Sequence, residues 1–249
     1  MKLHNMIAFS SLLAIATACG SKENPNDADG DSVSAETTVE RFADIQILRF
    51  EVPSWNKLSL KQKELVYYLS QAGLAGRDIN YDQNNRFNLE IRRALEAIHE
   101  NYTGDKTSSD WKKFDTWSKQ VFFSNGIHHH YSMDKIKPTF TKAYFNHLMK
   151  SVEHNLSPEA LEAIFNPNLE KKRKVKDPNV DMIVASANNF YGEGVTQKMV
   201  EDFYKGKSDP NDPTPIELGL NSTLVLKKGK LVEEVWKSGG KYGQAIDQI

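Results

Sequence analysis

Ile91, Leu95, Ile98 and Tyr102, and then Trp111, Phe114, Trp117 and Val121, recur at three- and four-residue spacing, the period that lays side chains along one face of a helix. Two such faces, heavy with aromatic rings, demand a partner surface, so this part of the chain is committed to a packed helical core. Gly104 stops the first pattern and Asn125-Gly126 the second, both of them residues that tolerate the left-handed backbone at helix ends. Aromatic stripes at this spacing read as core rather than as a cofactor box.

Other helices announce themselves by their ends. Ser59-Leu60-Lys61-Gln62 has the form of a capping box, with Leu65, Leu69 and Ala72 on one face of the helix it opens and Gly73 and Gly76 closing it. Thr141 is placed to cap a helix carrying Tyr144, Phe145, Leu148 and Val152; Ser157-Pro158 puts proline at the first turn of another, which Asn166-Pro167 ends. Strand signals follow only later. Val180–Val184 is short, apolar and β-branched, and Thr223–Leu226 and Leu231–Trp236 flank the turn Lys227-Lys228-Gly229-Lys230 as a hairpin. Helices first and short strands afterwards give an α+β layout.

The N-terminus speaks to location. Lys2 precedes an apolar or small-residue run from Met6 to Ala18, shorter than the roughly 20 residues that a membrane-spanning helix needs, which is the pattern of a secretory signal peptide over residues 1–18. Cys19 is the sole cysteine and sits where a bacterial lipobox places the acylated residue, although Ala16 stands where many lipoboxes carry leucine; an ordinary signal peptide beside a chance cysteine is the other reading. Residues 19–40 are polar and acidic with few large apolar groups, and read as a lipidated flexible tether. The expectation is a bacterial envelope protein, periplasmic or outer-membrane associated, held to the membrane by lipid on Cys19.

Charge excludes little else but nucleic acid. Lys and Arg number 32 against 33 Asp and Glu, and the short basic run Lys171-Lys172-Arg173-Lys174 reads as a solvated charge cluster rather than a phosphate-binding stripe. Hydrolytic chemistry also finds no home. His99-Glu100 has no second histidine in the register of a zinc motif. His147 and His154 lie about 10 Å apart along a helix axis, too far for one ion. Ser132 and Ser186 have no nucleophile-elbow pattern around them. In an extended triple histidine, His128 and His130 would share a side while His129 faced away, giving one ion at most two ligands.

The polar and aromatic run Phe122–Ser132, which contains Asn125-Gly126-Ile127-His128-His129-His130-Tyr131, follows the second aromatic helix and has the look of a cleft wall. With Gly76-Arg77-Asp78-Ile79 upstream and Ala185-Ser186-Ala187-Asn188-Asn189-Phe190-Tyr191-Gly192 downstream, it resembles the bacterial branch of dipeptidyl peptidase III, the M49 zinc metallopeptidases. The likeness spans roughly Arg41 to the C-terminus. The family's HExxGH and EExR motifs are absent from these residues.

The resemblance implies an incomplete lower lobe over residues 41–249, part of a two-lobed exopeptidase that removes dipeptides from peptide N-termini. Zinc would belong to the other lobe of the parent, with none bound by this chain, which alone is expected to be inactive. Short peptides and that missing zinc-binding lobe are the implied partners. The family's peptide-contacting asparagine segment maps onto Ala185–Tyr191, with Asn189 the best match and Asn188 its neighbour; turn chemistry ahead of Gly192 and Gly194 explains the same pair equally well. Asn125, His130 and Tyr131 would line the peptide, histidines standing where family members carry a glutamate. At the end of the chain, Tyr242, Ile246 and Ile249 mark an amphipathic helix without a capping glycine, so the chain is expected to stop inside a longer protein. The alternative is a naturally short, non-catalytic peptide-binding or partner-binding module.

Overall fold

The aromatic helical faces do form the core. The computed structural model describes residues 38–207, 211, 219 and 221–249; the segments read as signal peptide and tether, up to Thr37 and including Cys19, lie outside the described residues. Helix α3 (Asn88–Asn101) presents Ile91, Leu95 and Ile98, and α4 (Ser109–Ser124) presents Phe114, Trp117 and Val121, to one cluster that also takes Phe145 and Leu148 from α5 (Lys142–Ser151) and Ala160, Ala163 and Ile164 from α6 (Pro158–Phe165). Phe114 and Phe145 are fully buried. Burying each such ring is worth roughly 1.5–3 kcal/mol, which makes this cluster the main source of stability.

The ends behave as their residues dictate. Ser108, Thr141 and Ser157 each accept from a backbone N–H in the first turn of α4, α5 and α6, satisfying donors that a helix leaves open. Asn125 closes α4 in the left-handed region at φ 52°. Helix α1 (Leu60–Ala75) opens on the Ser59–Gln62 capping box. It runs straight through Gly73, however, and stops only at Gly76. Its expected inner face is not inner: no residue of α1 is buried, with Leu65 and Leu69 about half exposed. The helix lies against α2 (Arg77–Asn84) and the last helix, numbered below, rather than against the aromatic cluster.

Two corrections concern strands. The chain begins its described part as a hairpin, β1 (Thr38–Phe42) paired antiparallel with β2 (Ile45–Leu48), so strands precede the helices and β1 takes up residues assigned to the tether. Lys119 of α4 reaches back to Glu40 at 2.6 Å. Val180–Val184 is not a strand. Asp181 instead caps the short helix α7 (Met182–Ala185), its Oδ1 accepting from the amides of Ile183 and Val184 at 3.0 Å and its Oδ2 from Gln197 at 2.9 Å. A carboxylate with three donors outweighs a weak β preference.

After α8 (Gln197–Tyr204) the expected hairpin forms, β3 (Ser222–Lys227) against β4 (Lys230–Val235). Lys228 and Gly229 both have positive φ, as a two-residue hairpin turn requires. Helix α9 (Gly243–Gln248) follows, with Tyr242 as its cap. The Tyr242 hydroxyl donates to Asp82 of α2, where Lys241 also lies 2.9 Å away. The architecture is therefore α+β: a helical cluster with two small antiparallel sheets.

Candidate functional site

Helix α2 ends in a row of amides, Gln83, Asn84 and Asn85, and α3 begins at Asn88. Asn88 is almost fully buried and acts as a connector: its Nδ2 donates to Tyr81 O at 3.0 Å and its Oδ1 accepts from Ile127 N at 3.1 Å. Asn84 Nδ2 donates to Asn125 O at 3.0 Å. The end of α4 is thus stitched to α2 by side chains that satisfy its loose backbone groups. Gly126 allows the close approach. Its φ is 138°, and a Cβ there would sit 2.0 Å from Asn88 Nδ2, so only glycine fits.

From Gly126 the chain does not run on as an extended strand. Ile127 is buried, His128 pairs with Lys135 in an isolated bridge, and His129 N donates to Asp134 O at 2.8 Å, closing a turn in which Met133 takes positive φ. The expected sidedness fails for this reason. His128 is buried while His130 is exposed, so the two do not share a side, and only the tip of the segment faces solvent. Tyr131 is 86% exposed and Phe123 43%.

The three histidines have three different environments. His128 Nε2 lies 2.8 Å from Glu170 O, so it carries the proton, and Nδ1 is left buried without a partner among the described residues. Burial pushes the imidazole pKa down to about 4, keeping it neutral. His129 Nδ1 accepts from the amides of Tyr131 at 3.2 Å and Ser132 at 3.1 Å, which leaves Nε2 to donate to Asp44 at 3.3 Å. Neither nitrogen offers a lone pair to a metal. The His130 ring stacks edge-on against Phe123 at 4.9 Å, and burial, with the neighbouring His129, holds its pKa below the usual value.

The basic run Lys171–Lys174 is not simply a solvated cluster. Lys135 N donates to Lys171 O and Arg173 N to Met133 O on one side, while Ala187 N donates to Lys172 O and Asn188 N to Arg173 O on the other. The run lies between the histidine turn and the Ala185–Tyr191 segment. Arg173 Nη1 donates to Asn84 Oδ1 at 3.2 Å and Nη2 to His130 O at 3.4 Å. Buried Asn85 ties in the same region, its Nδ2 donating to Glu170 Oε2 at 2.7 Å and to Ala187 O at 3.2 Å. Lys135, also buried, donates its ammonium protons to Asn166 O at 3.0 Å and to Leu169 O.

The residues read as peptide contacts divide accordingly. Asn188 commits its Nδ2 to Arg173 O at 3.2 Å. Asn189 uses its backbone N–H on Gln83 O at 2.9 Å, while its side-chain amide is partly exposed and makes no hydrogen bond among the described residues. Asn125 serves as the α4 cap. Tyr191 continues into a parallel bridge with Leu224, where Gly192 N donates to Leu224 O at 2.7 Å and Leu224 N to Phe190 O at 3.1 Å. Gly192 packs closely there. The residues that sequence reasoning passed over are Asn84, Asn85, Asn88 and Arg173. The α2–α3 amide row is visible in the sequence, but nothing in the sequence says what it touches.

Among the described residues no group of three or more His, Cys, Asp or Glu side chains is arranged to hold a metal ion. His99, the partner-less half of the incomplete zinc pattern, is packed among Trp111, Phe114 and Phe122, its Nε2 2.6 Å from Ser118 Oγ. No family model matches this chain, and no curated protein matches it.

Proposed function

We propose that this chain forms the peptide-lining part of an envelope-anchored protein similar to zinc-dependent dipeptidyl peptidases, with the zinc ligands supplied from outside these residues. One observation carries the reading. Two of the three segments behind the resemblance meet at the end of the helix that the third one opens: α2, which starts at Gly76–Ile79, bonds at its other end through Asn84 and Gln83 to Asn125 and Asn189, and Arg173 links Asn84 to His130 and Asn188. A shared junction of exposed Tyr131 and His130 with the unused amide of Asn189 is what an extended peptide needs: aromatic surface beside a group that both donates and accepts.

The chemistry of this chain is then binding and orientation. Asn189 presents its amide to a peptide backbone group, and the hydrogen bonds of Asn188 and Arg173 hold the Asn189 backbone in place. When bound in the parent, zinc would polarise the scissile carbonyl and activate water. The second reading, a non-catalytic peptide-binding module, rests on the same surface and asks for no metal.

The test is titration of the full chain with short synthetic peptides. Saturable binding that weakens in Asn189→Ala by about 1–3 kcal/mol is expected for the loss of one buried hydrogen bond. Unchanged affinity would make Asn189 a turn residue. Dipeptide release from an arylamide substrate by this chain alone would contradict the assignment of catalysis to residues elsewhere.

A further inference from the structure

We infer that Arg173 receives a carboxylate of the bound peptide, so that the site selects acidic peptides; this rests on the peptide-binding reading above. Several partly buried cations among the described residues face a carboxylate, and Lys63 lies over the Trp55 ring at 5.8 Å. Arg92 is held between Asp78 and Glu96, Lys119 between Glu40 and Asp115, and Lys241 against Asp82. Lys135 is surrounded by carbonyls. Like Lys135, Arg173 has no carboxylate within ion-pair distance among the described residues, and its side-chain bonds go to neutral oxygens, Asn84 Oδ1 and His130 O; unlike Lys135, which Glu170 influences, it has no acid acting on it.

Those two bonds aim the guanidinium without neutralising it. A planar fork with five N–H donors keeps further donors available, and burial alone perturbs the group, lowering its pKa with no acidic neighbour to offset the loss of water. A partly desolvated, unpaired charge gains most from an anion delivered by a ligand. Glu170, an acid of the junction, is already engaged by Asn85 at 2.7 Å and Arg86 at 3.7 Å. Asp44 is turned to His129 and Asp134 to Lys172. Lys171, Lys172 and Lys174 lie beside Arg173 in the chain, Lys172 already paired with Asp134. This surface suits a carboxylate better than a free peptide ammonium.

The experiment is calorimetry on the full chain with amide-capped tetra-alanine, the same peptide with glutamate at each position in turn, and tetra-alanine as the free acid. One glutamate position is expected to bind about tenfold tighter than alanine, as a charge-assisted pair allows. If the gain appears instead only with the free acid, the carboxylate recognised is the peptide's C-terminus. Arg173→Gln should bring the acidic-to-neutral affinity ratio to about one, and Arg173→Lys should retain a smaller preference, which covers the case of a Gln variant that fails to fold. Equal binding of all peptides by the unaltered chain overturns the inference and leaves the peptide-binding reading standing. A preference that survives in folded Arg173→Gln, or one abolished by Lys171→Gln with Lys174→Gln while Arg173 is intact, also overturns it. No binding of any peptide removes both.

Discussion

The helical cluster is buried and the loop junction beside it partly so, and opposite kinds of contact hold them. Phe114, Trp117, Phe145 and Leu148 interlock without polar partners other than the Trp117 indole, which donates to Ile136 O at 2.9 Å. The junction instead depends on Asn84, Asn85, Asn88, His128 and Arg173, each of which hydrogen-bonds to a segment distant in sequence or to a neighbouring helix. Each such bond contributes a net of about 1 kcal/mol, yet an orphaned buried partner costs more than that. The cluster is therefore tolerant of position and intolerant of lost volume. The junction is the reverse: it holds backbone segments in one geometry, which suits a surface that must present groups to a ligand.

The largest expected effect lies in the cluster. Phe114→Ala should cost about 3–5 kcal/mol, because a fully buried ring leaves a cavity; urea unfolding with an unchanged slope would show it. A loss below about 1 kcal/mol would mean that the cluster is less closely packed than its burial indicates.

The junction should show itself in acid. His128 is held neutral with a pKa of about 4 against an ordinary 6.5, so the unfolded chain binds the proton more readily between those values. The stability contributed by neutral His128 is complete above about pH 6.5 and is lost as pH falls toward 4, on the order of 3 kcal/mol in all. His128→Gln should flatten that part of a stability-against-pH curve. An identical slope in the variant would place the acid sensitivity elsewhere, with His99, whose pKa burial also lowers, as the next group to replace.

The smallest effect is expected on α1. Leu69→Ser should change stability by no more than about 0.5 kcal/mol, since the side chain is half exposed. A loss of about 2 kcal/mol or more, together with a concentration-dependent midpoint, would show that the apolar face of α1 is covered in solution.

The two regions are unequally legible. The cluster can be read from Ile91, Leu95 and Ile98 and from Trp111, Phe114 and Trp117, because a helical period reports burial directly. Caps at Ser59, Thr141 and Ser157 are equally plain, being local hydrogen-bond chemistry. The same period misleads at α1, where Leu65 and Leu69 share a face that the rest of the described chain does not cover. Val180–Val184 misleads because its β-branching is more conspicuous than the Asp181 cap that decides its shape. The early hairpin β1–β2 hides at the end of a segment whose composition reads as tether. At the site, Asn188, Asn189, Asn125, His130 and Tyr131 stand out as polar and aromatic groups outside the helical pattern. Which of them are already engaged does not, since Asn188 meets Arg173 and Asn189 meets Gln83 only through folding.

Sequence by itself determined the helices of the core, most of their ends, the β3–β4 hairpin and the α+β class, because each follows from interactions within a few residues or from one periodic face. Tertiary structure alone decided that His128 is buried while His130 is exposed, that Arg173 leaves its basic run to bridge Asn84 and His130, and that α2, the histidine turn and the asparagine segment form one junction. Those outcomes depend on partners dozens of residues away, and no local period or propensity carries that information.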